Sequence, residues 1–257
     1  MDEKKDSGRA MLAAEKAMDR YWTHRSESYS DMNRRELQSE QRTAWETLLF
    51  EGVDEARPLR ILDIGAGPGF FSILCAKRGH IVTAADMNKE MIRQAKENAA
   101  AARAAVEFVQ VDHTLPFAPG SFDMIVSRNV TWALPQPDET MAIWGSLLRT
   151  GGMLRYFDAE WYNYLADDSV RPEEMRLRDY SRSSEMEKLA YSLPMTFRRR
   201  PEWDRVFWQA AGYGFEVREN LNSLVYDEND MEKYRSFSLF MATVRKTASP
   251  QAAELTL

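Results

Sequence analysis

The stretch Asp63-Ile64-Gly65-Ala66-Gly67-Pro68-Gly69 concentrates the residue types that hold a charged small ligand. Gly65, Gly67 and Gly69 allow a backbone to turn tightly and to approach a ligand without Cβ contacts. Pro68 suits the first turn of a helix, where its missing N–H is not needed. The N-terminus of that helix presents N–H groups to an anion such as a carboxylate. A dinucleotide fingerprint would place glycine at position 70, and that residue is Phe70. Asp63, just before the loop, suits an ammonium group and would repel a pyrophosphate. The alternative, a tight turn without a ligand, has no need of so many glycines.

Two further acids fall where such a site would use them. Asp86 ends Thr83-Ala84-Ala85-Asp86, and a carboxylate there can accept both hydroxyls of a ribose. Asp112 ends Val109-Gln110-Val111-Asp112, within reach of an adenine amino group across the same crevice. Either alone reads equally well as a helix cap or a solvated loop acid. Three strand-end acids at the carboxyl edge of one sheet point to a ligand, because open α/β sheets bind theirs there.

The elements that must position these residues alternate. Residues 1–58 read as helical, with Leu37, Gln41, Ala44, Trp45 and Leu48 on one face, and Pro58 closes them. Strands are expected at 59–64, 80–85, 106–111, 122–127 and 153–157. A helix capped by Asn88 carries Met91, Ala95 and Ala99. Another spans 138–149 and is stopped by Gly151-Gly152. After Asp158 the rhythm lapses, then resumes with a helix face of Trp203, Val206, Phe207 and Ala210 and strands at 214–221 and 236–245. Strands alternating with helices predict βαβ units and a parallel, doubly wound α/β sheet. The division expected is a helical cap (1–58), a core (59–160 and 201–245), an insertion (161–200) and a tail (246–257).

The chain has 257 residues and a net charge of −6, so a global basic field for nucleic acid is absent. The single cysteine, Cys75, cannot form an internal disulfide and rules out a multi-cysteine zinc site. The three histidines show no metal-ligand spacing, and no metal is expected. The charged N-terminus lacks an apolar signal core, and no apolar run is long enough for a bilayer. These signals give a cytoplasmic expectation, without a membrane partner. Monomer and dimer stay open.

Residues 60–157 resemble the class I S-adenosylmethionine-dependent methyltransferases, in particular the bacterial small-molecule branch similar to ubiquinone and menaquinone methyltransferases. Leu62 to Gly69 resembles that family's first motif. Leu115-Pro116-Phe117 with Ser121 to Ile125 is similar to its approach to strand four, and Leu147 to Gly152 to its approach to strand five. The resemblance implies a Rossmann-like seven-stranded sheet whose last two strands form an antiparallel hairpin. It implies S-adenosylmethionine as cofactor and S-adenosylhomocysteine as product. The cofactor residues it implies are Asp63, Gly65, Ala66, Gly67, Gly69, Asp86 for ribose, Met87, Asp112 for adenine, His113, Arg128 and Asn129. Tyr21, Arg25 and Tyr29 resemble the N-terminal segment that closes over the cofactor in related enzymes, with ordinary helix packing as the alternative.

A sulfonium already activates its methyl group, so no catalytic residue is obligatory. Candidates on the acceptor side follow strands four and five: Asn129 to orient the acceptor, Trp132 to wall the pocket, then Asp158, Glu160, Trp161 and Tyr162, with His113 as a further base. Trp132 and Trp161 read equally well as core aromatics. Arg176, Arg178, Arg182 and Arg198-Arg199-Arg200 crowd the insertion. They are solvated or paired with its glutamates, or one or two of them clamp a carboxylate or phosphate on the acceptor. In the second case the insertion is a lid, with Tyr162, Tyr164, Tyr180 and Tyr191 as its apolar wall. The reading is methyl transfer to a small molecule. A non-catalytic cofactor-binding module and a protein methyltransferase remain as alternatives.

Overall fold

The computed structural model describes residues 2–112, 114–167, 169, 185–234 and 236–247. Seven strands form one sheet in the order β3-β2-β1-β4-β5-β7-β6. They are β1 (Arg60–Ile64), β2 (Ile81–Asp86), β3 (Val106–Gln110), β4 (Phe122–Arg128), β5 (Leu148–Asp158), β6 (Gly214–Arg218) and β7 (Phe240–Arg245). The first five are parallel, and β7 runs antiparallel between β5 and β6. The doubly wound sheet with a terminal antiparallel pair is as expected, although both last strands are shorter than the sequence suggests. Short helices occupy the interval between them, α8 (Asn222–Val225) and α9 (Glu228–Tyr234).

The central strands bury both faces, so their side chains alternate between two cores. Ile61, Met124, Val126, Met153 and Phe157 face α2 (Gln41–Phe50) and α3 (Phe70–Lys77). Leu62, Ile125, Leu154 and Tyr156 face α5 (Pro137–Leu147) and α7 (Glu202–Ala210). The helix α4 (Lys89–Ala102) begins at Asn88, whose Oδ1 accepts from Met91 N at 2.9 Å. Its Met91, Ala95 and Ala99 are buried as the spacing predicts.

The N-terminal segment divides into α1 (Asp2–Gln38) and α2 at a turn around Ser39. Trp45 Nε1 donates to Glu36 Oε1 at 2.6 Å and ties α2 to α1 across that turn. At the other end of α2, the buried guanidinium of Arg155 on β5 donates from Nη1 to Leu48 O and Leu49 O, each at 2.9 Å. It thereby satisfies carbonyls that a helix end leaves open. Burial pulls the Arg155 pKa down to about 10.

Two local expectations are corrected. Gly151 and Gly152 do not stop a helix: α5 ends at Leu147, and Leu148 already belongs to β5. The glycines serve a bulge, where the pairing jumps from Phe122↔Leu148 to Met124↔Met153. Gly151 has φ +75°, and a Cβ on Gly152 would lie 2.8 Å from Arg149 O. On α7, Val206 is exposed and Ala210 faces solvent, while Asp204 and Trp208 point inward. A hydrophobicity pattern misses this face because its centre is a buried carboxylate, satisfied by Arg200 and by Tyr156 Oη at 2.7 Å.

Candidate active site

The carboxyl ends of β1, β2, β3 and β4 meet where the strand order reverses, between β1 and β4. A cleft with about 1270 Å3 of empty space, part of it open to solvent, lies over that edge. Gly65, Gly67, Asp86, Met87, Asp112, Arg128, Asn129 and Tyr29 line it together with a largely apolar remainder. A second, smaller space of about 270 Å3 by the same measure adjoins it and shares Tyr29, Gly65, Gly67 and Arg128. Ala66 and Asp63 line this smaller space.

The glycine loop folds as its residue types require. Gly65, Gly67 and Gly69 all have positive φ, at +66°, +52° and +89°. A Cβ on Gly65 would lie 2.3 Å from Val130 Cγ2, so the β4 end and the loop touch only because that side chain is missing. Asp86 organises the loop from β2. Its Oδ2 accepts from Gly67 N and its Oδ1 from Asn88 N, both at 2.8 Å. Burial raises its pKa, and these backbone donors oppose the rise.

Asp63 is buried and accepts from Ser72 Oγ at 2.6 Å. Burial pushes its pKa up to about 7, although the Ser72 hydroxyl and backbone N–H both favour the charged form. Its carboxylate therefore occupies the first turn of α3, the place where the sequence suggests that a ligand's anion would dock.

Arg128 sits behind Asn129 at the end of β4. It forms a two-pronged pair with Glu36 of α1, Nη1–Oε1 2.8 Å and Nη2–Oε2 3.0 Å, and lies over the rings of Phe70 and Trp45. Burial disfavours its charge, but Glu36 outweighs that and its pKa is pushed up. Asn129 takes φ +58°, a left-handed conformation that asparagine tolerates. Among the described residues its Oδ1 is one of three buried side-chain polar atoms without a partner, with Asn33 Nδ2 and Arg198 Nη1.

α1 crosses the mouth of the cleft and contributes Ala14, Met18, Asp19, Trp22 and Tyr29. Asn88 Nδ2 holds it there by donating to Asp19 O, Asp19 Oδ1 and Thr23 Oγ1 at 2.8–3.0 Å. Asn98 Nδ2 adds bonds to Ser30 Oγ and to Pro68 O, both 2.9 Å. From the insertion, Leu193 reaches the cleft, and α6 (Glu185–Ala190) packs Met186, Leu189 and Ala190 against Trp132 and α1. Trp22 lies in the N-terminal segment expected to close over the cofactor, whereas Met18 and Leu193 escaped sequence reasoning because only the fold brings them over the sheet edge.

Other sequence candidates stand away from the cleft. Tyr21 packs edge-on against Trp22, Arg25 is exposed, and Gly69 faces Ala95. Trp132 and Tyr162 pack together at 5.0 Å, and Trp161 packs against Tyr234 and Phe237. Glu160 Oε1 accepts from Arg200 N at 2.7 Å. Asp158 is fully buried and accepts from Thr131 Oγ1, Trp132 N, Ala159 N, Trp161 Nε1 and Arg200 Nη1. Arg200 is itself buried between Asp158 and Asp204. Arg198 pairs with Asp138 and lies 4.3 Å over Trp203, while Arg199 is exposed. Tyr164 is buried against Glu187, and Tyr191 is exposed. His113, Arg176, Arg178, Tyr180 and Arg182 lie outside the described residues. Among the described residues no three His, Cys, Asp or Glu side chains are grouped to hold a metal ion, and no helix is long and apolar enough to cross a membrane.

A parallel sheet with a glycine loop and acids at the switch point, extended by an antiparallel last pair, defines the class I S-adenosylmethionine-dependent methyltransferase fold. Residues 62–156 match the family described as a methyltransferase domain. A malonyl-[acyl-carrier protein] O-methyltransferase of Erwinia pyrifoliae is 40% identical over 102 residues, 38% of this chain and 36% of that protein. The chain spans 35–41% of the length of the curated relatives it matches. Among solved structures, a phosphoethanolamine N-methyltransferase of Haemonchus contortus in complex with S-adenosyl-L-methionine aligns with TM-score 0.56 and 17% identity. That alignment covers 79% of this chain and 52% of that one. The [4+2]-cyclase SpnF aligns with TM-score 0.55 and 16% identity, covering 82% of both chains. At such identities the likeness concerns the fold alone, and a cyclase among the neighbours shows that this fold does not fix the reaction.

The residues present would suit S-adenosylmethionine, the cofactor expected from the sequence. Asp63 would offer a carboxylate for its ammonium, and Asp86 and Asp112 line the same cleft as Gly65 and Gly67.

Proposed function

We propose that the protein transfers a methyl group from S-adenosylmethionine to a small molecule bound beneath α1. The observation that carries this reading is the largely apolar cleft beneath α1. Its walls are mostly apolar, and α1 and Leu193 cover it, so it has the form of a small-molecule pocket rather than an open charged surface. In this reading Asp86 accepts the ribose hydroxyls, Asp112 receives the adenine amino group, and Gly65, Ala66 and Gly67 let the backbone approach. The cofactor supplies an already activated methyl group. The chain's own residues then orient the acceptor and keep water out, with Trp22, Met18 and Leu193 as the wall and Asn129 at the polar end.

Asp158 is not the proton acceptor in this scheme, because five donors already hold it inside the protein. The described arginines of the insertion do not favour an anionic clamp either, since none of Arg198, Arg199 and Arg200 lines the cleft. A neutral or weakly polar acceptor suits the described lining best. The test is incubation of the protein with methyl-labelled cofactor and metabolite extracts, followed by identification of the labelled product. Label on a small molecule supports the proposal. Label on protein would make it a protein methyltransferase, and binding without any transfer would make it a non-catalytic module.

A further inference from the structure

Two buried asparagines at opposite ends of α4 hold α1 in place, and each also touches a piece of the cofactor site. Asn98 donates from Nδ2 to Ser30 Oγ of α1 and to Pro68 O of the glycine loop, and its Oδ1 accepts from Arg34 Nη1 at 3.3 Å. Asn88 grips α1 nearer its start, where its Nδ2 donates to Asp19 O, Asp19 Oδ1 and Thr23 Oγ1. Its Oδ1 accepts from Met91 N, and its own N–H donates to Oδ1 of Asp86, two residues earlier. One residue thus joins the roof, the start of α4 and the acid read above as the ribose acceptor. Asp19 and Thr23 lie one helical turn apart on one face of α1, and Met18 and Trp22 share the neighbouring face. Trp22 Nε1 donates to Met18 Sδ at 3.1 Å, and both line the cleft. The grip on Asp19 and Thr23 therefore fixes the rotation of α1 that turns Met18 and Trp22 inward. Met18 and Trp22 also pack in a cluster with Leu189 and Leu193, but apolar contact is non-directional and fixes no rotation.

We infer that Asn88 is a positioning residue that latches the first half of α1 over the cleft, so that the breaking of its amide bonds sets how fast the cofactor enters and leaves. The three bonds of Nδ2 end on protein atoms, so they favour the closed roof whether or not a ligand lies beneath it. Such a latch slows entry and exit alike, and it acts on rates far more than on affinity. The second half of α1 is fixed independently, by Asn98 and by the pair of Glu36 with Arg128. Opening is therefore confined to the half that carries Met18 and Trp22. The inference rests on the cofactor reading above.

The experiment measures association and dissociation rates of S-adenosylhomocysteine on the immobilised whole chain by surface plasmon resonance. Asn88→Asp keeps the oxygen that caps α4 and the backbone N–H to Asp86, but turns the donor facing Asp19 into an acceptor. It should raise both rates about 5- to 30-fold, the worth of one or two hydrogen bonds, and leave the equilibrium affinity within about threefold. A residue that merely touched the ligand would change dissociation alone. Adding Asp19→Asn restores an amide–carboxylate pair with the roles exchanged, and should bring both rates back to within about threefold of wild type. Asp19→Ala with Thr23→Val empties the latch from the exposed side of α1 and spares α4. That variant should show the same paired rise, and it decides the matter if Asn88→Asp does not fold. Unchanged rates, a rise in dissociation alone, or a swapped pair as fast as Asn88→Asp would overturn the inference and leave Asn88 a helix cap. A wild-type chain that does not bind S-adenosylhomocysteine would instead remove the cofactor reading, and the inference with it.

Discussion

Replacing Arg200 with methionine tests how the insertion is fixed to the sheet. Arg200 donates from Nε and Nη2 to Asp204 at 2.9 and 2.6 Å, from Nη1 to Asp158 at 3.2 Å and from Nη2 to Thr131 Oγ1 at 2.8 Å. Both carboxylates are fully buried. Without the guanidinium, Asp158 keeps Thr131, Trp132, Ala159 and Trp161 as donors, whereas Asp204 keeps Tyr156 Oη. The burden therefore falls on Asp204. Removing one partner of a buried ion pair costs about 3–5 kcal/mol, a large share of a total stability of roughly 5–15 kcal/mol. Arg200→Met should lower the urea midpoint accordingly at constant slope. Adding Asp204→Asn should restore more than half of the loss, because an amide is cheaper to bury than an unpaired carboxylate. A loss under about 1 kcal/mol for Arg200→Met would place the pair among weak surface bridges and refute the argument. So would a double variant no more stable than the single one.

Three further outcomes are expected. Asp86→Ala should weaken S-adenosylhomocysteine by about 1–3 kcal/mol in calorimetry, and Asp86→Asn, which can still accept one backbone N–H, should lose less. Gly65→Ala should destabilise by at least about 1–2 kcal/mol from its positive φ alone, with added strain from Val130 that Val130→Ala relieves in thermal unfolding. Asp63, whose pKa burial raises to about 7, favours the folded state when protonated, so its contribution to stability falls as pH rises from its unfolded value near 4 through 7. An ammonium ligand needs the ionised form, so S-adenosylhomocysteine should bind more tightly at pH 8 than at pH 6, and Asp63→Asn should flatten that slope in calorimetry.

Local features could be read from the chain because they are local. The glycine loop declares itself through three residues that need positive φ, and Asn88 caps α4 by accepting from Met91, three residues further on. Strands β1 to β5 follow from short apolar runs between turns. What the sequence withholds is pairing at a distance. Glu36 and Arg128 are far apart in the chain and meet only when α1 folds over β4. Asp204 reads as a solvated position on an amphipathic helix until Tyr156 of β5 is brought against it. The chemical candidates therefore divide: those at strand ends line the cleft, and Trp132, Asp158, Trp161 and Tyr162 stand in the layer behind it.

The hold of Arg155 on the end of α2 bears on where the chain can be cut. The family match begins at residue 62, after both N-terminal helices. Yet the guanidinium of Arg155 lies inside the sheet's core with carbonyls of α2 as its acceptors and Thr243 Oγ1 at 3.2 Å as a further one. A fragment trimmed to the matched segment would expose the apolar face that Trp45, Leu48, Leu49 and Phe50 cover, and would strand a cation within it. The boundary that marks descent in this protein is thus not a boundary of autonomous folding. Anyone transplanting the domain into another chain must carry the two preceding helices along with it.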